Sequence, residues 1–166
     1  REKKFERLDM RSMKQFEEHK SIEASDRIKS FQCDDFKGAG VIFYNENGFY
    51  LGYENKTKNK RTTEHWVDFG GKRTGLETPF QTASREALEE CGIDISERVL
   101  SQQPVYHPES NSKYVFFFVY EKEPHFNHSA SITKINRFTR LDIENLHPRL
   151  LYDKGGYINN RMRDLK

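Results

Sequence analysis

The sequence predicts an α/β fold, and three stretches carry that prediction. Thr78 to Gly92 reads as one capped helix, Gly38 to Glu54 as a strand, a turn and a returning strand, and Lys113 to Tyr120 as a buried strand. A chain of 166 residues makes one domain the default. It is long enough to bury about two-thirds of its surface without disulfide staples.

The helix is the best defined of the three. Pro79 suits the first helical position, where its missing N–H costs nothing. Thr78 is then the N-cap, Gln81 completes a capping box, and Gly92 supplies a left-handed C-terminal cap. A helix over Pro79–Cys91 follows. Successive residues turn by about 100°, so Glu86, Glu89 and Glu90 share one face. Phe80, Ala83, Ala87, Leu88 and Cys91 form the apolar side that packs on a sheet. Three like charges on one face repel unless solvent, a Lys or Arg partner, or a divalent cation relieves them. Hard oxygen ligands at this spacing suit Mg²⁺ or Mn²⁺.

The glutamates do not stand alone. The run fits G-x5-E-x7-R-E-U-x-E-E-x-G-U, with U aliphatic, and Gly71, Glu77, Arg85, Glu86, Ala87, Glu89, Glu90, Gly92 and Ile93 fill its nine fixed positions. Ala87 is small for an aliphatic position. This stretch resembles the Nudix hydrolase family. The resemblance implies an α/β/α sandwich. A mixed β-sheet would carry a catalytic loop-helix-loop on one face and a C-terminal helix on the other. The implied reaction is hydrolysis of a phosphoanhydride in a nucleoside diphosphate linked to another group, with Mg²⁺ or Mn²⁺ as cofactor. Carried onto matching positions, Glu86, Glu89 and Glu90 with the Gly70 carbonyl would hold the metal. One of these glutamates, Glu86 foremost, would deprotonate the attacking water, or a later glutamate among Glu109, Glu121 and Glu123 would do so. Arg85 is expected to point away from the carboxylates and pair with Glu77, tying the loop to the helix. Two alternatives stay open: an RNA 5′ end, capped or pyrophosphorylated, as substrate, and a non-catalytic nucleotide-binding domain.

The remaining chain adds context. Residues 1–30 are charged, with a thin apolar stripe at Phe5, Leu8, Met13 and Phe16. They read as a helical appendage to a hydrolase domain over 31–166, broken or re-capped near Ser21 and Ser25-Asp26. Asn45-Glu46-Asn47-Gly48 is the hairpin turn, with Asn-Gly supplying positive φ angles. Asn55 to Thr63 reads as a basic loop, either a solvated turn or a cationic rim for a phosphate-bearing substrate. Trp66 to Phe69 forms a short strand into the Gly70-Gly71 loop, with Phe69 where many relatives have proline. Val105–His107 and a segment around Asn136-Arg137-Phe138 are further strands, and Asp142 to Leu146 starts a helical turn. A last helix is expected within Arg149–Lys166. His65, His107, His125 and His128 match no histidine metal motif, and Tyr53 can stack on a base or pack in the core.

Net charge is +2, from 28 basic and 26 acidic residues, which does not mark a nucleic-acid binder. Cys33 and Cys91 make neither a metal pattern nor a disulfide framework, so a reducing, intracellular and cytoplasmic setting is expected. No apolar run is long enough to span a membrane.

Overall fold

A computed structural model describes residues 2–58, 60–108, 113–129, 131–139 and 141–142; for residues 2–11, 56–58 and 61–64 it describes the backbone alone. In chain order the elements are α1 (Glu2–Lys29), β1 (Gly38–Asn45), β2 (Gly48–Lys58), β3 (Arg61–Val67), β4 (Phe69–Lys72), α2 (Pro79–Cys91), β5 (Val105–His107), β6 (Tyr114–Tyr120) and β7 (Ile132–Phe138). The strands form a seven-stranded sheet with the path β3-β2-β1-β6-β5, to which β4 adds on β1 and β7 on β2. The β1–β6 pair is parallel and the others antiparallel, so the sheet is mixed.

Alternation along the central strands divides the core between the two faces. Val41 and Phe43 of β1, with Val115, Phe117 and Val119 of β6, meet Phe80, Ala83, Ala87 and Cys91 of α2. Ile42, Tyr44, Phe116 and Phe118 point to the opposite face and cluster with Leu51, Trp66 and Phe138. Every residue of β6 except Tyr120 is buried, as its apolar run predicts. The C-terminal helix expected on that opposite face lies outside the described residues. So does the turn beyond Asp142, of which only Leu141-Asp142 are described as helical.

Four local expectations need correction. The hairpin turns on Glu46-Asn47, with Asn45 opposite Gly48. Gly48, at φ 143°, has positive φ there and Asn47 does not, because the Asn45 carboxamide oxygen accepts the Asn47 N–H at 2.9 Å and shapes the turn instead. The basic stretch is no open loop. β2 and β3 pair across it from Gly52↔Val67 to Lys58↔Arg61, and Lys60 turns the chain at φ 63°. The Gly70-Gly71 pair is also strand, because Gly40 and Ala39 of β1 stand opposite it. Finally, α1 runs unbroken past Ser21 and Ser25. The Ser25 hydroxyl accepts the Leu100 N–H at 2.8 Å, a tertiary contact that leaves the helix intact. Ile28, 2% exposed, plugs this last turn into the α2-side core, whereas Met13 and Phe16 are exposed.

Candidate active site

Helix α2 has the predicted ends. The Thr78 hydroxyl accepts the Gln81 N–H at 3.2 Å, the Gln81 carboxamide accepts the Thr78 N–H at 2.9 Å, and Gly92 closes the helix at φ 76°. Its buried arc centres on Ala83 and Ala87, both fully buried. Leu88 lies one residue beyond Ala87, turned about 100° away, and is exposed rather than packed. Thr82 takes a place in the buried arc instead.

The same arc makes the three glutamates unequal. Glu89 is solvated, with its side chain 58% exposed, and Glu86 is at the rim at 14%. Glu90 reaches inward, where its Oε2 accepts the Gly70 N–H at 2.9 Å. Gly71 is needed beside them, since a Cβ there would stand 2.6 Å from the Glu86 carboxyl. The helix face and the strand of glycines are thus in direct contact.

Glu77 and Arg85 form the expected pair and more. Arg85 Nε donates to Glu77 Oε2 at 2.9 Å and Nη2 to Oε1 at 3.0 Å, a two-pronged grip. Glu77 also accepts the Thr74 N–H at 2.8 Å and the Thr82 hydroxyl at 3.2 Å. Arg85 holds the Glu77 carboxyl below the usual carboxylate range, and Glu77 in turn raises the guanidinium further above its own. The expectation that Arg85 turns away from the carboxylates fails: Nη1 donates to Glu86 Oε1 at 2.8 Å and lies 3.4 Å from Glu89 Oε2. A guanidinium has five donors, and Glu77 uses only part of the fork.

Three residues that sequence reasoning did not assign lie near Glu90. Asp68, in the step between β3 and β4, is 3% exposed, and Glu54 at β2 is 7% exposed. Tyr114, 3% exposed, donates its hydroxyl to Asp68 Oδ2 at 2.5 Å. Burial, followed by Asp68, Glu86 and Glu54, pushes the Glu90 carboxyl up to about 9. Asp68 had one signal, a charged residue inside the apolar run Trp66–Phe69. His65 is 3.6 Å from Glu54 Oε1. Tyr53 packs on Trp66 with ring centroids 5.0 Å apart. Glu109 lies outside the described residues. Glu121 is held by Arg98 Nη2 at 2.5 Å, and its N–H bonds Tyr44 O. That places it four residues along β1 from Gly40, about 13 Å away.

Hard carboxylate oxygens, with Glu90 driven up by burial and then by its acidic neighbours, fit a divalent cation in donor type and in charge. As placed, Glu86 turns to Arg85 and Glu90 to the Gly70 N–H. Among the described residues no three His, Cys, Asp or Glu side chains converge on one point.

A family model described as the NUDIX domain matches residues 35–157, most of the chain and all of the loop-helix-loop. The chain belongs to the Nudix family. It is an enzyme of the Nudix pyrophosphohydrolase type, acting on acid anhydrides. Solved structures agree on the fold. A MutT protein from Methanosarcina mazei Go1 is 19% identical with a TM-score of 0.56, over 76% of this chain and 91% of its own. An Ap4A hydrolase from C. elegans is 16% identical with a TM-score of 0.56, over 77% and 96%. A Nudix hydrolase from M. Smegmatis is 20% identical with a TM-score of 0.57, over 78% and 84%. At these identities the likeness is one of fold. No curated protein matches the Nudix chain in sequence.

Proposed function

We propose that this Nudix chain is a metal-dependent hydrolase of a nucleoside diphosphate linked to another group. The observation that carries the reading is the contact between Glu90 and Gly70. A carboxylate crowded by three others is seated against the glycine strand, with Glu86 and Glu89 on the same face. Glu86, Glu89, Glu90 and the Gly70 carbonyl would hold Mg²⁺ or Mn²⁺. When bound, the cation neutralises charge on the phosphate oxygens, which is the main obstacle to attack by water. Water adds to one phosphorus, the bridging P–O bond breaks, and two phosphate monoesters leave. In this reading a glutamate of the helix, Glu86 foremost, or a later glutamate takes the proton that the water gives up. Arg85 restrains Glu86 and Glu77 anchors Arg85 to the loop. The fold-mate named as an Ap4A hydrolase supports a substrate that combines a nucleotide with a phosphoanhydride.

Residues 31–166 make up the hydrolase domain in this reading, and 1–30 are its helical appendage. Cys33 and Cys91 are free thiols, in keeping with a reducing intracellular setting. Among the described residues no helix is long and apolar enough to cross a membrane.

The test is a screen with Mg²⁺ and Mn²⁺ over nucleoside diphosphate sugars, dinucleoside polyphosphates and capped RNA. Adding a phosphatase converts each new monoester to free phosphate. Cation-dependent release from a small nucleotide, lost in Glu90→Gln, supports the reading. Release from capped RNA alone moves the substrate to RNA ends. Silence across the panel overturns the metal-dependent reading for these substrates.

A further inference from the structure

We propose that Asp68 and Tyr114 are positioning residues, whose hydrogen bond fixes the height of the Gly70-Gly71 strand beneath Glu90 and Glu86. The inference rests on the metal-dependent reading above, since it concerns how the cation-binding carboxylates are held.

The bond is a strap across the sheet. Between Gly38 and Val41, β1 has β4 on one side and β6 on the other. Tyr114 opens β6 opposite Gly38, and Asp68 stands just before β4. Their contact therefore crosses β1, joining two strands about 10 Å apart. The phenol lies over the backbone of Gly40 and Gly70: a Cβ on either would overlap the Tyr114 hydroxyl, and on Gly40 it would also overlap Asp68 Oδ2. Two glycines, one on each of two paired strands, leave room for this one side chain. The bond is 2.5 Å long and both residues are buried, so water offers neither group a substitute.

What the strap holds is the backbone that meets Glu90 and Glu86. Gly70 gives its N–H to Glu90, and Gly71 has the Glu86 carboxyl packed over its Cα. A shift of β4 relative to β1 moves both contacts together. Ligating groups lose function when displaced by about 0.5 Å. Asp68 and Tyr114 touch neither the reacting atoms nor the cation in this scheme; they act through the glycine strand.

The test is direct Mn²⁺ titration of the full chain, read by the electron paramagnetic resonance signal of free Mn²⁺, with no substrate present. Tyr114→Phe removes one oxygen and leaves every charge in place. It is expected to weaken Mn²⁺ binding by about 10- to 100-fold, the range for groups that orient metal ligands. Asp68→Asn keeps a carbonyl oxygen to accept the tyrosine hydroxyl and is expected to bind within about threefold of the parent, whereas Asp68→Ala falls with Tyr114→Phe. Asp68→Ala removes the same bond should Tyr114→Phe fold poorly. A merely structural bond would lower the melting temperature and leave Mn²⁺ affinity unchanged, which overturns the inference. Equal losses in Asp68→Asn and Asp68→Ala would assign the effect to charge and also overturn it. A parent protein that binds no Mn²⁺ removes the metal-dependent reading itself, a result distinct from parent binding that the variants share.

Discussion

Glu90 sets the pH behaviour of the cation-free protein. An unfolded glutamate titrates near 4.5, and the folded one is pushed up to about 9. Between those values the folded chain holds a proton that the unfolded chain has lost, so stability falls as pH rises across the window. In chelator, thermal midpoints of the parent are expected to decline from about pH 5 to 9. Glu90→Gln flattens that slope and is more stable at pH 8, by on the order of a few kcal/mol, while turnover falls by about 10²-fold or more. Equal pH slopes for parent and variant would contradict the burial of this carboxyl. Glu77 has the opposite sign. Arg85 depresses it, so its contribution is present at neutral pH and is lost as pH falls below the ordinary glutamate value of 4.5. Because Glu77 acts through Arg85, Glu77→Gln is expected to cost about tenfold in turnover, less than Glu90→Gln. Comparable kcat losses in the two folded variants would refute that ranking. At the residue scale the Glu77–Arg85 pair was legible from a local spacing, whereas the turn of Arg85 toward Glu86 was not. Asp68 and Tyr114 are 46 positions apart, and nothing local to either predicts their bond.

At the scale of elements, α2 was readable because its ends are local chemistry. Thr78→Ala removes a working cap and is expected to cost about 1 kcal/mol in denaturant melts. Gly92→Ala forces a Cβ onto a left-handed backbone, 2.8 Å from the Asn127 carboxamide nitrogen, and is expected to cost about 1–2 kcal/mol. A neutral outcome at Gly92 would mean that the helix end relaxes. The strands were less legible for the same reason in reverse. Gly70-Gly71, Asn55–Lys58 and Arg61–Thr63 have turn-like composition, yet all are paired strand because a distant or facing segment supplies hydrogen-bond partners. Leu88 shows a similar limit. The apolar list of a helix does not say where its buried arc is centred, and the sheet decides that.

Across the whole molecule, among the described residues, the domain buries α1 near its end. Ser25 and Ile28 are 2% exposed, while Met13, Phe16 and Ile22 are at least half exposed. Removing residues 1–20 is therefore expected to leave the melting temperature within a few degrees of the parent, whereas Ile28→Ala costs about 2–4 kcal/mol. A large loss from the truncation would show that the appendage is part of the folding unit. The mixed sheet itself has a kinetic consequence. Gly40, Gly70, Glu90 and Tyr114 meet only after β1 has paired with β6, a contact that closes a span of more than seventy residues. Such distant pairings form late, after local helices. On dilution from denaturant, far-ultraviolet helicity from α1 and α2 should return first, and Mn²⁺ uptake should lag behind it, rising only with the final cooperative phase.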